Sequence, residues 1–219
     1  GNDVQSILDG DDLGAIVAGA KHRYSERLSV YAEETYDLFG RRPSLTQAYG
    51  VNYTPDAAWT ITGAAEWGTI WDDTRDPATG LKNSDFDRQA ISLAIAYHPN
   101  EKIDGKLKGE ARFDDSDDDT RDASSYYLGA GLNYKVDNDW RILLNMDAVL
   151  TDATTTTRDG DYVEGSFGYA YRPTTNDRLN ALFKYTFLYD NPGFDQVTVS
   201  GPTAGPAQRS HILSAGASY

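Results

Sequence analysis

Between Lys102 and Phe113 every second residue is charged. Lys102, Asp104, Lys106, Lys108, Glu110 and Arg112 alternate with Ile103, Gly105, Leu107, Gly109, Ala111 and Phe113. A period of two sends successive side chains to opposite faces of an extended ribbon, so this segment reads as a strand with one greasy and one charged surface. Ten further runs alternate in the same way: Leu13 to Tyr24, Leu28 to Tyr36, Leu45 to Tyr53, Ala57 to Trp71, Phe86 to Tyr97, Tyr126 to Tyr134, Trp140 to Leu150, Tyr162 to Tyr171, Arg178 to Tyr189 and His211 to Tyr219. Tyr24, Tyr53, Tyr97, Tyr134, Tyr171 and Tyr219 each close an apolar face, and a short turn follows each of the first five. The other connections are longer and acidic or rich in Gly, Pro and Thr: Asp72 to Asp85, Asp114 to Ser125, Asp152 to Asp161 and Asp190 to Ser210, with a shorter one near Asp37 to Ser44.

Most runs have the ~9–11 residues that a tilted strand needs to cross a bilayer. Short turns at one end, long loops at the other, and aromatic residues at a fixed height are the marks of an outer-membrane barrel. The expected fold is therefore all-β, an antiparallel up-and-down transmembrane β-barrel formed by residues 1–219 as one domain. Tyr24, Tyr53, Trp59, Tyr97, Tyr134, Trp140, Tyr171 and Tyr219 would form its aromatic girdle, and the bilayer and lipopolysaccharide would be its surroundings. In hydrocarbon every backbone N–H and C=O must be paired within the protein, so such a sheet has to close. A soluble β-sandwich also alternates its faces, and it stays as the competing architecture.

Composition removes other classes. The 20 Lys and Arg against 34 Asp and Glu give a net charge of −14, which argues against nucleic acid. The chain has no Cys, so disulfides and thiolate metal sites are excluded. Its longest apolar run, Leu13 to Ala20, is far too short for a spanning helix. Gly1 to Val4 contains neither an initiator Met nor a secretory leader, and the chain is read as processed or as a piece of a longer one.

Eleven runs is an odd count, and the first and last descend toward the same side. Bacterial single-chain barrels have even strand numbers. The expectation is a truncated barrel, completed by strands from the same or another chain, although His211 to Tyr219 also reads as a genuine last strand. The segments Tyr134 to Trp140, Gly168 to Pro173, Asn176 to Tyr185 and Gln208 to Ser214 resemble the C-terminal barrel of very large proteobacterial surface proteins. That resemblance implies a barrel continuing past Tyr219 and a role in anchoring or translocating surface modules.

The face opposite the greasy one carries Lys21, Arg23, Glu66, Arg88, Lys106, Lys108, Glu110, Arg112, Arg141, Asp147, Glu164, Arg172 and Lys184. In a barrel these are lumen charges. Their basic lean points to a diffusion pore favouring anions, or they pair across strands in a filled interior. Asp115, Asp117 and Asp119 could attract a divalent cation, but neither the Gly nor the closing Glu of a calcium loop follows, and a solvated acidic loop is the other reading. Catalysis is not expected. Only His22, His98 and His211 are available as bases, and adjacent Ser210 and His211 would point to opposite faces. No glycine pattern cradles a phosphate, and no cofactor is expected. The readings carried forward are an anchor or translocator, a mildly basic diffusion pore, and a soluble binding domain.

Overall fold

A computed structural model describes residues 15–37, 42–75, 79–154, 160–173, 179–192, 196–198, 201–203 and 208–219. Residues 1–14, with the start of the first expected run, and Arg178, the start of the tenth, lie outside the described residues, as does the tip of the Asp152 to Asp161 loop. The strands are β1 (Ala15–Arg23), β2 (Leu28–Asp37), β3 (Ser44–Tyr53), β4 (Trp59–Ile70), β5 (Phe86–Asn100), β6 (Ile103–Asp115), β7 (Ala123–Lys135), β8 (Trp140–Ala153), β9 (Gly160–Tyr171), β10 (Asn180–Pro192), β11 (Gln196–Thr198), β12 (Gly201–Thr203) and β13 (Gln208–Ser218). Eleven of them form one antiparallel sheet in chain order, β1 through β10 and then β13, while β11 and β12 pair as a separate small hairpin.

The eleven expected strands are all present, most with ends displaced by one to three residues at the long-loop side. β7, for example, starts at Ala123 rather than Tyr126. The β11–β12 hairpin inside the Asp190 to Ser210 segment was not foreseen, because two three-residue strands are too short to display a period. Among the described residues β1 and β13 each have a hydrogen-bonded neighbour on one side only, and the two run in the same direction.

Local chemistry explains the short turns. Ser25 Oγ accepts from Leu28 N at 3.0 Å, Asp56 Oδ1 from Ala58 N at 2.8 Å, Asn100 Oδ1 from Lys102 N at 2.8 Å, and Asp137 Oδ1 from Asp139 N and Trp140 N, both at 2.8 Å. Each is a side chain capping its own turn, for which Ser, Asp and Asn are the suited residues.

The decisive feature of the packing is what the apolar face lacks. The chain exposes 15097 Å², whereas a compact monomer of this size exposes roughly 10,000 Å². In the middle of β5 Ile91 is 61% and Leu93 52% exposed, while Ser92 and Ala94, on the other face, are half-buried. Trp59, Trp67, Leu107 and Phe183 are exposed as well. A soluble sheet would hide these against a second layer, and the described residues contain none. The buried hydrophobic side chains among them, Ile70, Phe86 and Ala153, sit at the long-loop end. The apolar face is thus left uncovered by protein, as lipid on that side requires.

Candidate functional site

The polar face is continuous across the sheet because the register keeps it so. Lys108 stands opposite Gly129, Gly129 opposite Asp147, and Asp147 opposite Glu164, which carries one row over β6, β7, β8 and β9. A parallel row joins Lys21, Tyr31, Gly50, Ala64, Ser92, Glu110 and Tyr127 from β1 to β7. Glu66 faces Ala90, Arg141 faces Lys135 and Lys184 faces Gly168, all on this side. The sequence-derived set is therefore gathered on one surface, with Arg172 just past β9 and Arg23 at the turn, where its Nε donates to Ser25 O at 3.1 Å. Glu33, Asp37, Asp104, Asp114 and Asp190 fall on it too. With these acids included, the basic lean expected from the sequence gives way to a balanced surface.

Glu110 holds the centre of β6, paired with Lys108 Nζ and Arg112 Nη2 at 3.0 Å each. Tyr127 OH donates to Asp147 Oδ1 at 2.6 Å, and Lys108 Nζ lies 5.5 Å from the Tyr127 ring centre. Several long side chains recline along the wall because a glycine lies beneath them. A Cβ on Gly129 would meet Tyr127 OH, one on Gly50 would enter the Tyr31 ring, and one on Gly131 would come within 2.6 Å of Lys106 Cε.

At the long-loop mouth the loops knit together around Asp72, the largest fully buried side chain among the described residues. It receives Arg42 Nε at 3.2 Å and Arg121 Nη2 at 2.8 Å, together with hydrogen bonds from Thr74 Oγ1 and, at 2.9 Å, Thr74 N. Asp85 Oδ1 accepts from Asp72 N at 2.8 Å. Three loops thus converge on one carboxylate. Burial pushes its pKa up, but the two hydrogen bonds from Thr74 and the two guanidiniums outweigh this and hold it below the ordinary value. Phe86 lies beneath, with Arg88 and Arg121 at 5.4 and 5.3 Å from its ring centre. In the acidic loop, Asp122 Oδ1 accepts from Ser116 N at 2.8 Å, and Asp118 accepts from Ser84 Oγ and Thr120, which lower its pKa to about 2.

Asp115 ends β6 opposite Asp87, and Asp119 takes a left-handed backbone with φ 58. The candidate set Asp115, Asp117 and Asp119 is not brought together, and among the described residues no three His, Asp or Glu side chains are disposed to hold a metal. His211 lies on the apolar face between Tyr185 OH at 2.8 Å and Tyr189 OH at 3.4 Å, while Ser210 is on the other face opposite Leu188, as the alternation requires. Aromatic side chains gather at the short-turn side. Trp59 packs on Tyr97 at 4.2 Å, Trp140 packs between Tyr169 and Tyr171 at 4.7 and 4.4 Å, and His22 meets Tyr24 at 4.4 Å. Tyr53 and Tyr134 lie at the same height, while Tyr219, just past β13, is 95% exposed. Asp72 was missed in the sequence. Its only signal there is a Thr two positions on, the spacing of a short Asp-capped turn.

A protein-family model described as "Putative MetA-pathway of phenol degradation" matches residues 33–164, more than half of the chain. The chain belongs to that family. No curated protein matches it. Among solved structures, the outer-membrane expressed OmpT of Vibrio cholerae is 12% identical, with 92% of this chain covered and a TM-score of 0.53. The chain spans 64% of that protein's length. An in-vitro folded, trimeric OmpT of the same organism is 9% identical, with 94% and 91% of the two chains covered and a TM-score of 0.47. The NanC porin is 12% identical, with 96% and 94% covered and a TM-score of 0.36. The fold is that of the outer-membrane β-barrels, whose place is the bacterial outer membrane. The resemblance to the barrel of large surface proteins is corrected accordingly: the outer-membrane barrel stands, and the family is a different one.

Proposed function

We propose that this chain forms the wall of an outer-membrane diffusion channel for small solutes, without catalysis and without a cofactor. The observation that carries the reading is the polar face itself. Its rows of Gly, Ala, Ser and Thr are interspersed with charges, and several of its long side chains lie flat over glycines, an arrangement that lines a passage rather than fills a core. The family's description, which concerns phenol degradation, supports small aromatic compounds as the solute class. Balanced wall charge favours neutral and singly charged solutes over strong ion selectivity.

Planar-bilayer recording of the refolded full chain tests this. Discrete conductance steps, together with phenol permeation into vesicles containing the protein, are expected. A membrane-inserted protein without conductance would overturn the reading. It would also leave anchoring or translocation of surface modules as the role to pursue, a role that now rests only on residue-level resemblance. Lipopolysaccharide is the expected outer-leaflet neighbour under either reading.

A further inference from the structure

The short-turn mouth carries basic side chains that the wall does not neutralise. Lys135 ends β7 directly opposite Arg141 on β8, a like-charge pair that sheets ordinarily avoid. Arg172 follows β9, its backbone N held at 2.7 Å by Asp139 O. Lys135, Arg141 and Arg172 line a cleft of about 620 Å³ together with Leu143 and Ala170 on the same face and with Asp137 and Asp139 of the β7–β8 turn. None of the three basic side chains makes an ion pair or hydrogen bond among the described residues. The two acids of the cleft pair with none of the three: Asp137 Oδ1 takes the N–H groups of Asp139 and Trp140, and Asp139 has a partner of its own, so three cations stand against two carboxylates.

We propose that Lys135, Arg141 and Arg172 form a binding site for an oxyanion, a carboxylate or a phosphate group, at the short-turn mouth of the barrel. Two adjacent cations across a strand pair and a third on the next strand repel one another until an anion sits between them. Planar guanidiniums grip such oxygens in pairs. Leu143 and Ala170 give the cleft an apolar floor on which an aromatic ring bearing the carboxylate can rest. This rests on the reading of the polar face as a passage, and it adds a solute-holding point at one end of that passage.

Calorimetric titration of the refolded full chain in detergent, with inorganic phosphate and with benzoate, tests the site. Saturable binding of at least one is expected, with Arg141→Gln and Arg172→Gln each weakening it about tenfold. Arg172→Lys should keep most of the affinity, and Lys82→Gln at the far mouth should keep all of it. Tighter phosphate binding identifies a phosphoryl ligand, tighter benzoate binding an aromatic carboxylate, and either supports the site. No saturable binding, or binding that survives both Arg→Gln changes in folded protein, overturns it. Lys135→Gln, on a different strand, gives the same reading if one Arg variant does not fold. Titration does not depend on conduction. A barrel that binds without conducting therefore refutes only the channel, and one that conducts without binding refutes only the site.

Discussion

Arg88 grips Asp114 through two parallel hydrogen bonds, Nε to Oδ1 at 2.8 Å and Nη2 to Oδ2 at 3.0 Å, joining the outer ends of β5 and β6. The Asp114 side chain is 5% exposed, and that of Arg88 is 28%. Removing the cation leaves a carboxylate with little water to replace it. Arg88→Ala should cost about 2 kcal/mol in a urea unfolding titration in detergent or vesicles, less than a fully buried pair because Arg88 is partly solvated. Arg88→Lys should recover only part of that, since an ammonium cannot make the paired contact.

Asp72 should make the outer loops sensitive to acid. Its folded pKa lies below the ordinary value, so its contribution is fully present above the unfolded value near 3.8 and is lost as pH falls below that. Proteolysis of the 72–85 and 114–122 loops should therefore rise sharply below about pH 4. Asp72→Asn should expose the same loops at neutral pH, at a cost of about 2 kcal/mol for hydrogen bonds that lose their charge. Loops equally protected at both pH values would contradict the three-loop arrangement.

The two faces of β5 predict opposite tolerance to the same residue. Leu93→Arg places a guanidinium on the lipid side and should destabilise the inserted barrel by ~2–4 kcal/mol if it lies near the midplane. Ser92→Arg, one residue away on the polar face, should fold with little penalty. Equal penalties in an unfolding titration from vesicles would mean that the faces are assigned the wrong way round.

Gly129→Ala should lift the Tyr127 hydroxyl off the wall, because the new methyl group occupies its place. The Tyr127–Asp147 hydrogen bond is then broken and single-channel conductance falls. The double variant Gly129→Ala with Tyr127→Phe, which keeps the ring but removes the clashing oxygen, should recover conductance in part.

The strands could be read from the sequence because a two-residue period is a local property. Lys106, Lys108 and Glu110 against Leu107 and Gly109 define both faces without knowledge of any neighbour. The height of Tyr97 and Tyr134 was legible for the same reason, as they sit shortly before turns whose capping residues are visible in the chain. Asp72 was not legible. It is one acid in an acidic loop, and its partners Arg42 and Arg121 come from two other loops, so nothing within a window around it marks it. The charge balance of the polar face was misjudged because Asp114 and Asp190 were read as loop residues, whereas β6 and β10 extend far enough to carry them onto the wall. Asp115, Asp117 and Asp119 looked like one cluster in sequence, and extension of β6 takes the first of them into the sheet.

A barrel's backbone diameter follows from strand number and stagger, but its clear aperture follows from posture. Where Tyr31, Lys106 and Tyr127 recline over Gly50, Gly131 and Gly129, a single added methyl group is enough to stand a side chain upright. In the proposed channel, molecular size cut-off can thus be retuned, without disturbing one rung of the ladder, at positions that never touch the molecule being sieved.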